Sequence, residues 1–393
     1  MKNSWPTFSR FMLAIVFSLI SCTLRAVAPL IPAPPAVAAK AYLLMDYQSG
    51  KLLAASNEHA HLEPASLTKM MTVYVVYKEL AQGKLSLADK VRISEKAWRT
   101  EGSRMFAEVG KEISVGELLQ GVIIQSGNDA SVALAEHVAG SEESFAEMMN
   151  AYAKRLGMND SHFTDATGMP NPNHYTSAYD LALLAQATIR EFPPELYALH
   201  AEKWFSFNGI KQPNRNRLLW RNPAVDGLKT GFTESAGYCL VASAKKDNTR
   251  LISVVLGTDS DIARAEQSHK LLTYGLRFYE THTLFAANQP LNEARVWMGR
   301  AKTLPIGLPN GLYVTIPHGQ YKNLSASLNV DKRIKAPVAK GQILGSVVVH
   351  LNDQVLLTQP LIALETVETG GTFSRAKDYV SMRSSQLFHP KSE

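Results

Sequence analysis

The sequence predicts an α+β fold followed by a small all-β domain. Strand-like runs stand near both ends of the first two-thirds of the chain, at residues 41–47 and 51–55 and again at 237–244 and 250–256. A block of helical periods fills the space between them, so one sheet built from both ends and covered by helices accounts for the pattern. Beyond His282 the helical periods give way to short apolar runs separated by turn signals. A chain of 393 residues is long enough for two domains and a large core. Its 46% hydrophobic and 19% charged content excludes a disordered polymer.

The chain opens on a targeting pattern. Lys2 and Arg10 precede an apolar stretch from Phe11 to Ile20, and Ala36, Ala38 and Ala39 follow as small cleavage-site residues. The apolar run is short for a membrane span. Residues 1–38 therefore read as signal peptide and spacer, with a retained anchor and a lipoprotein site at Leu19-Ile20-Ser21-Cys22 as alternatives. Removing them takes away Lys2, Arg10 and Arg25 and no acid, so the net charge of +6 falls to +3. That balance does not suit a nucleic-acid partner. Cys239 is then the single cysteine left, in a strand-like run, and is expected as a small buried hydrophobe rather than half of a disulfide.

Residues 39–281 are expected to form the first folded domain. Ser49-Gly50 turns between its first two strands. Pro64-Ala65-Ser66 opens a helical pattern to Leu80, stopped by Gly83. Ser114-x-x-Glu117 is a capping-box pattern before Leu118 to Ile124. Helices from Asp129 and from Ser141 are stopped by Gly140 and Gly157, and a further helix starts at Ser177 and ends before Pro193. Asn208-Gly209 signals a hairpin, residues 246–248 a second, and residues 262–279 a last helix. Residues 282–370 read as the small β-rich domain. Residues 371–393 read as a weakly amphipathic helix with Phe373, Ala376, Val380 and Leu387 on one side, interrupted by Arg375, Lys377 and Arg383.

Three short motifs carry the chemistry: Ser66-Leu67-Thr68-Lys69, Ser126-Gly127-Asn128 and Lys229-Thr230-Gly231. Each is weak alone. Ser-x-x-Lys recurs at Ser243 and Ser374, and Ser-x-Asn at Ser327. Their order and local setting distinguish them. A serine hydroxyl needs a base beside it to act as a nucleophile. Residues three apart share a helix face, so Lys69 stands over Ser66, and a lysine serves as base when burial or a neighbouring cation lowers its pKa. Lys229 is a candidate for that cation. Ser126, between two helical segments, is placed to relay a proton. Gly231, just before a hairpin, removes a side chain where a substrate backbone would pair with a strand edge.

Together these motifs resemble the active-site serine penicillin-recognising enzymes, with a β-lactamase/transpeptidase-like catalytic domain. The nearer resemblance is to the low-molecular-mass penicillin-binding proteins that are D-alanyl-D-alanine carboxypeptidases. It rests on Pro64 to Thr72, Gln125 to Ala130 and Asp226 to Gly231, and extends through Ser177 to Ala182 and Val254 to Gly257. The resemblance implies Ser66 as acyl-ester carrier, Lys69 as general base and Ser126 as proton shuttle. It implies Asn128 as holder of the substrate amide, and Lys229, Thr230 and Arg264 as ligands of the substrate terminus. The amides of Ser66 and Phe232 would form the oxyanion hole. No metal or other cofactor is implied. Peptidoglycan stem peptides are the implied substrate and β-lactams the implied covalent inhibitors. The implied setting is the periplasm, with peripheral contact to the inner membrane through the C-terminal segment.

Phe232 stands where some relatives of this family carry histidine. Between Met148 and Arg190 there is no glutamate of the kind that activates the deacylating water in serine β-lactamases, which disfavours that reading. The resemblance leaves a D,D-endopeptidase open as an alternative, because both activities cleave beside D-alanine through one mechanism, whereas a non-catalytic peptidoglycan-binding protein would be expected to have lost part of the motif set. No His-Glu-x-x-His is present for a metallopeptidase, and His59 and His61 read as surface groups.

Overall fold

In the computed structural model, which describes residues 31–388, the strands from both ends of the first domain meet in one five-stranded sheet. We label them β1 (Ala41–Asp46), β2 (Leu52–Ser56), β3 (Val225–Thr233), β4 (Gly237–Lys246) and β5 (Thr249–Thr258). The order across the sheet is β2-β1-β5-β4-β3, all antiparallel, with β3 at one edge. Alternate residues face opposite sides. Leu44, Leu240 and Val255 meet Leu271 and Leu272 of the helix Asp261–Phe278 on one side. Leu43, Val241 and Val254 join the helical block on the other.

That block contains α1 (Lys69–Ala81), α2 (Val115–Gln120), α3 (Asn128–Ala139), α4 (Glu142–Leu156) and α5 (Ala178–Glu191). Their boundaries follow the sequence signals. Ser114 and Glu117 form the reciprocal capping box, and Ser141 and Ser177 cap α4 and α5. Gly140 and Gly157 take left-handed backbone at φ +81° and +77° to end α3 and α4. Two departures lie at the motifs. The Ser66 segment begins as a 3-10 turn, Ala65–Thr68, before α1. The helix after the capping box changes into a π-turn, Gly121–Gln125, that delivers Ser126 at φ +64°. π-turns often mark functional positions.

The apolar leader and Cys22 lie outside the described residues. The Pro/Ala segment after them is extended along the domain: Tyr274 Oη donates to Pro32 O at 3.1 Å, and Ile31, Val37 and Ala39 pack on the cluster beneath the Asp261–Phe278 helix. Cys239 is fully buried and unpaired.

The β-rich part follows without a linker. The strand Tyr279–Phe285 pairs with Leu312–Pro317, and six further strands between Pro290 and Ala363 make a sheet around Val296, Leu304, Val347 and Leu361. A buried polar knot ties this part to the first sheet. Asp46 Oδ2 accepts from Thr281 Oγ1 at 2.6 Å, its Oδ1 accepts from the Ser49 amide and hydroxyl at 2.8 Å, and Lys51 Nζ donates to Thr315 O at 3.0 Å. The final helix, Thr372–Phe388, is held through Asp378, which accepts from Met298 N at 2.7 Å and Lys302 Nζ at 2.9 Å. Phe373 and Val380 face water.

Thr281→Val is isosteric but removes the Asp46 partner. It is expected to lower stability by about 1–3 kcal/mol, because a buried carboxylate oxygen is left without a donor. Urea denaturation of both proteins checks this, and an unchanged midpoint would contradict it.

Candidate active site

The 3-10 turn sets Lys69 back over Ser66: Lys69 Nζ donates to Ser66 Oγ at 3.0 Å and to Thr167 O at 2.7 Å. Ser66 is partly open, while Lys69 is fully buried. Burial pulls the Lys69 amine down to about 7. Arg215 pushes the same way, while Asp165, Asp129 and Glu142 oppose without making an ion pair. Near neutral pH a large share of Lys69 is therefore unprotonated and can accept the Ser66 proton.

The π-turn and the left-handed Ser126 aim a second hydroxyl at the same place. Lys229 Nζ, on β3, donates to Ser126 Oγ at 2.9 Å and to Thr230 O at 2.9 Å. Its amine is lowered well below the usual lysine range, first by burial and then by Lys69, Arg215 and Arg264. Asn128 opens α3. Its Nδ2 donates to Glu101 O at 2.6 Å, and its buried Oδ1 has no hydrogen-bond partner among the described residues. An unpartnered buried acceptor at the rim of a cleft fits a ligand N–H. Asp129, one residue on, accepts from Met105 N and Ala107 N at 3.0 Å each, and so fixes the 101–107 loop against α3.

Lys229, Thr230 and Gly231 lie within the edge strand Val225–Thr233, just before the hairpin of β4 and β5. A side chain at Gly231 would meet Pro64 O at 2.9 Å and Leu67 Cγ at 3.2 Å, so its absence lets the Ser66 turn pack onto β3. Phe232 is half exposed beyond it. Arg264 is buried beneath the strand, donates from Nη1 to Gly231 O at 3.0 Å and pairs with Asp261.

The structure adds residues that the sequence reading missed. Arg215 Nη1 donates to Ser103 Oγ at 2.8 Å, joining segments 112 positions apart across the cleft. Nothing local in Asn214-Arg215-Asn216 marks it. Asp165 organises the loop under Lys69: its Oδ1 accepts from Thr167 N and Gly168 N at 2.7 Å, and its Oδ2 meets His174 Nδ1 at 3.1 Å. Burial pushes Asp165 up, but the His174 contact and charge, together with the Thr167 and Gly168 donors, outweigh it and hold the group well below the usual carboxylate range. His174 Nε2 continues to Thr68 Oγ1 at 2.9 Å. Asp165-Ala166-Thr167-Gly168 was legible as a turn sequence, though not as the floor of a site.

Ser66, Ser126, Asn128, Thr230, Gly231 and Arg264 line one cavity of about 900 Å³. Residues 28–260 match the family described as D-alanyl-D-alanine carboxypeptidase. The chain belongs to that family. Residues 279–369 match a second family, described as the C-terminal domain of penicillin-binding protein 5. Within the carboxypeptidase family the chain is 48% identical over 362 residues to D-alanyl-D-alanine carboxypeptidase DacC of Escherichia coli, covering 90% of each chain. It is 40% identical over 368 residues to DacA of the same organism, covering 92% of this chain and 90% of that one. Among solved structures, penicillin-binding protein 5 of Haemophilus influenzae matches with a TM-score of 0.82 at 43% identity, over 86% of this chain and 99% of that one. The α+β fold with its C-terminal β domain is the fold of these penicillin-binding proteins.

Gly168→Ala tests how the site is supported. Gly168 has φ +84°, and an added Cβ would fall 1.8 Å from Ala65 O and 2.6 Å from Thr68 Oγ1. The left-handed backbone alone is worth about 1–3 kcal/mol, and the clash displaces the turn before Ser66. A lower thermal midpoint together with lost covalent labelling by a fluorescent penicillin is expected. Labelling at the wild-type rate would contradict it.

Proposed function

We propose that this chain is an exported serine D-alanyl-D-alanine carboxypeptidase that removes the terminal D-alanine from peptidoglycan stem pentapeptides through an acyl-ester on Ser66. One observation carries the reading. Two buried lysines, neither paired with an acid among the described residues, each lie within 3.0 Å of a serine, and both serines line one cavity. That pairing supports acyl transfer without histidine.

Ser66 Oγ attacks the penultimate D-alanyl carbonyl while unprotonated Lys69 takes its proton. The amides of Ser66 and Phe232 receive the oxyanion, a contribution on the order of 3 kcal/mol per donor. Ser126 passes a proton to the departing D-alanine nitrogen and is resupplied from Lys229 or Lys69. The C–N bond breaks and D-alanine leaves. Water, deprotonated by Lys69, then hydrolyses the ester. Asn128 Oδ1 accepts from the substrate amide, and Lys229, Thr230 and Arg264 take the terminal carboxylate with Arg215 beside them. β-Lactams acylate Ser66 by the same route and leave slowly. In this reading Gly231 acts by seating the Ser66 turn on β3.

The leader at residues 1–38 directs export to the periplasm, residues 39–281 carry catalysis, and residues 282–370 form the β-rich domain. The C-terminal segment, 371–393, makes peripheral contact with the membrane surface. Exposed Phe373 and Val380 beside Arg375 and Lys377 support that contact.

Purified protein is expected to release D-alanine from a pentapeptide and to be labelled by a fluorescent penicillin, whereas Ser66→Ala is expected to do neither. Labelling of the variant would remove Ser66 as nucleophile. The rate of acylation depends on the unprotonated amine of Lys69, so it is expected to rise with pH and level off above about 7. Below that value it falls about tenfold per pH unit, and a stopped-flow profile flat from pH 5 to 8 would contradict this. Asn128→Ala loses one substrate hydrogen bond of about 1–2 kcal/mol. Its kcat/KM for pentapeptide is expected to fall roughly 5- to 30-fold, with folding checked by circular dichroism.

A further inference from the structure

The strand that carries Lys229, β3, stands at the edge of its sheet, yet that edge is not free along its whole length. Two buried side chains close its first half. Asn216 Nδ2 donates to Gly227 O at 3.1 Å, and His200 Nδ1 lies 3.4 Å from Leu228 O. Further along, Thr230, Gly231, Phe232 and Thr233 line the catalytic cavity. Side chains that occupy the place of a neighbouring strand end the open edge, so the open part of β3 begins beyond Leu228.

His200 is 2% exposed and sits in a 3-10 turn, Leu199–Ala201. That turn packs against β3 and also against the π-turn that delivers Ser126. A carbonyl oxygen only accepts, so the ring carries its proton on Nδ1 and its Nε2 is bare. Nε2 is buried with no hydrogen-bond partner among the described residues, and a second proton there would find no acceptor. Burial pushes the imidazole down to about 4. Lys229 pushes the same way, while Leu228 O and Asp226 oppose. The ring is also held in place. Its centroid lies 5.5 Å from the Tyr197 ring and 6.5 Å from the Tyr77 ring. Those tyrosines are themselves fixed, donating to Asp226 Oδ1 at 3.0 Å and to Leu196 O at 2.7 Å. A Cβ on Gly227 would fall 3.2 Å from His200 Cβ, so ring and strand are in close contact.

Leu228 O belongs to the peptide unit that continues into Lys229 N, and that unit is planar. Holding the oxygen therefore sets the direction in which the Lys229 side chain leaves the strand. Its Nζ then meets Ser126 Oγ at 2.9 Å. We propose that His200 is a positioning residue for the acyl-transfer reaction, a buried strut that aims Lys229 at Ser126. The inference rests on the proposed carboxypeptidase reading, in which Ser126 protonates the departing nitrogen. The absence of charge suits the role. Lys69, Arg215 and Arg264 already bear on the Lys229 amine, and a neutral ring orients it without adding to them.

A leaving group that needs no proton separates this role from plain support of the fold. A D-alanyl thioester of thiolactate offers Ser66 the same acyl group, but its sulfur departs as a thiolate. The test compares kcat/KM on a pentapeptide and on this thioester for the full chain, His200→Gln and His200→Asn. The asparagine amide nitrogen reaches the place of Nδ1, and the glutamine nitrogen that of Nε2. His200→Gln is expected to lose about tenfold or more on the pentapeptide and to stay within about threefold of wild type on the thioester. His200→Asn restores the donor and is expected to stay within about threefold on both. If either variant fails to fold, His200→Ala gives the same comparison of substrates. An equal loss on the two substrates overturns the inference and leaves the carboxypeptidase reading standing. So does full pentapeptide activity in His200→Gln, or a loss in His200→Asn as large as in His200→Gln. Absence of D-alanine release by the wild type overturns the carboxypeptidase reading, and this inference with it.

Discussion

Lys69 is buried with a hydroxyl and a carbonyl as its hydrogen-bond partners and, among the described residues, with no carboxylate against it. An ammonium in that position loses its hydration and gains no counter-ion, so the neutral amine is favoured. Lys229 meets the same condition on the opposite wall, and the Lys69 charge lowers its amine further. The nearest acid of consequence, Asp165, is occupied with backbone amides and His174 rather than with Lys69. Had Asp165 reached the amine, an ion pair would have replaced a base.

Holding two lysine amines out of water requires a floor that does not yield. Gly168 lies against Ala65 O, Gly231 lies against Pro64 O, and Ala65 and Ser126 take left-handed backbone at φ +48° and +64°. Strained or crowded positions of this kind persist only where surrounding packing over-determines them. Here that packing is the sheet on one side and the helical block on the other, with Asp129 locking the 101–107 loop. Reactivity and rigidity are therefore linked: the same close approaches that exclude water from Lys69 also position Ser66.

Much of the fold was legible because its signals are local. Ser114, Ser141 and Ser177 cap helices, Gly140 and Gly157 end them, and Asn208-Gly209 turns a hairpin, each through contacts within a few residues. The candidate site was legible through three motifs for a similar reason, since Ser66–Lys69 and Ser126–Asn128 are each one local turn. The third motif lies just before the β4–β5 hairpin, as its position suggested, and β4 holds Gly231 in an edge strand through pairing with Cys239. Arg215 and the Asp165–His174–Thr68 chain escaped because their partners lie far away in sequence.

By itself the sequence determined where elements begin and end, and which side chains stand one helical turn apart, because caps, turns and periodicity are short-range physics. The tertiary structure alone decided that Lys229 comes within 2.9 Å of Ser126, that the Ser66 turn packs against Gly231, and that Arg215 spans the cleft. It also decided the lysines' reactivity. Their lowered affinity for protons comes first from burial, and burial is a property of how distant segments close over a side chain.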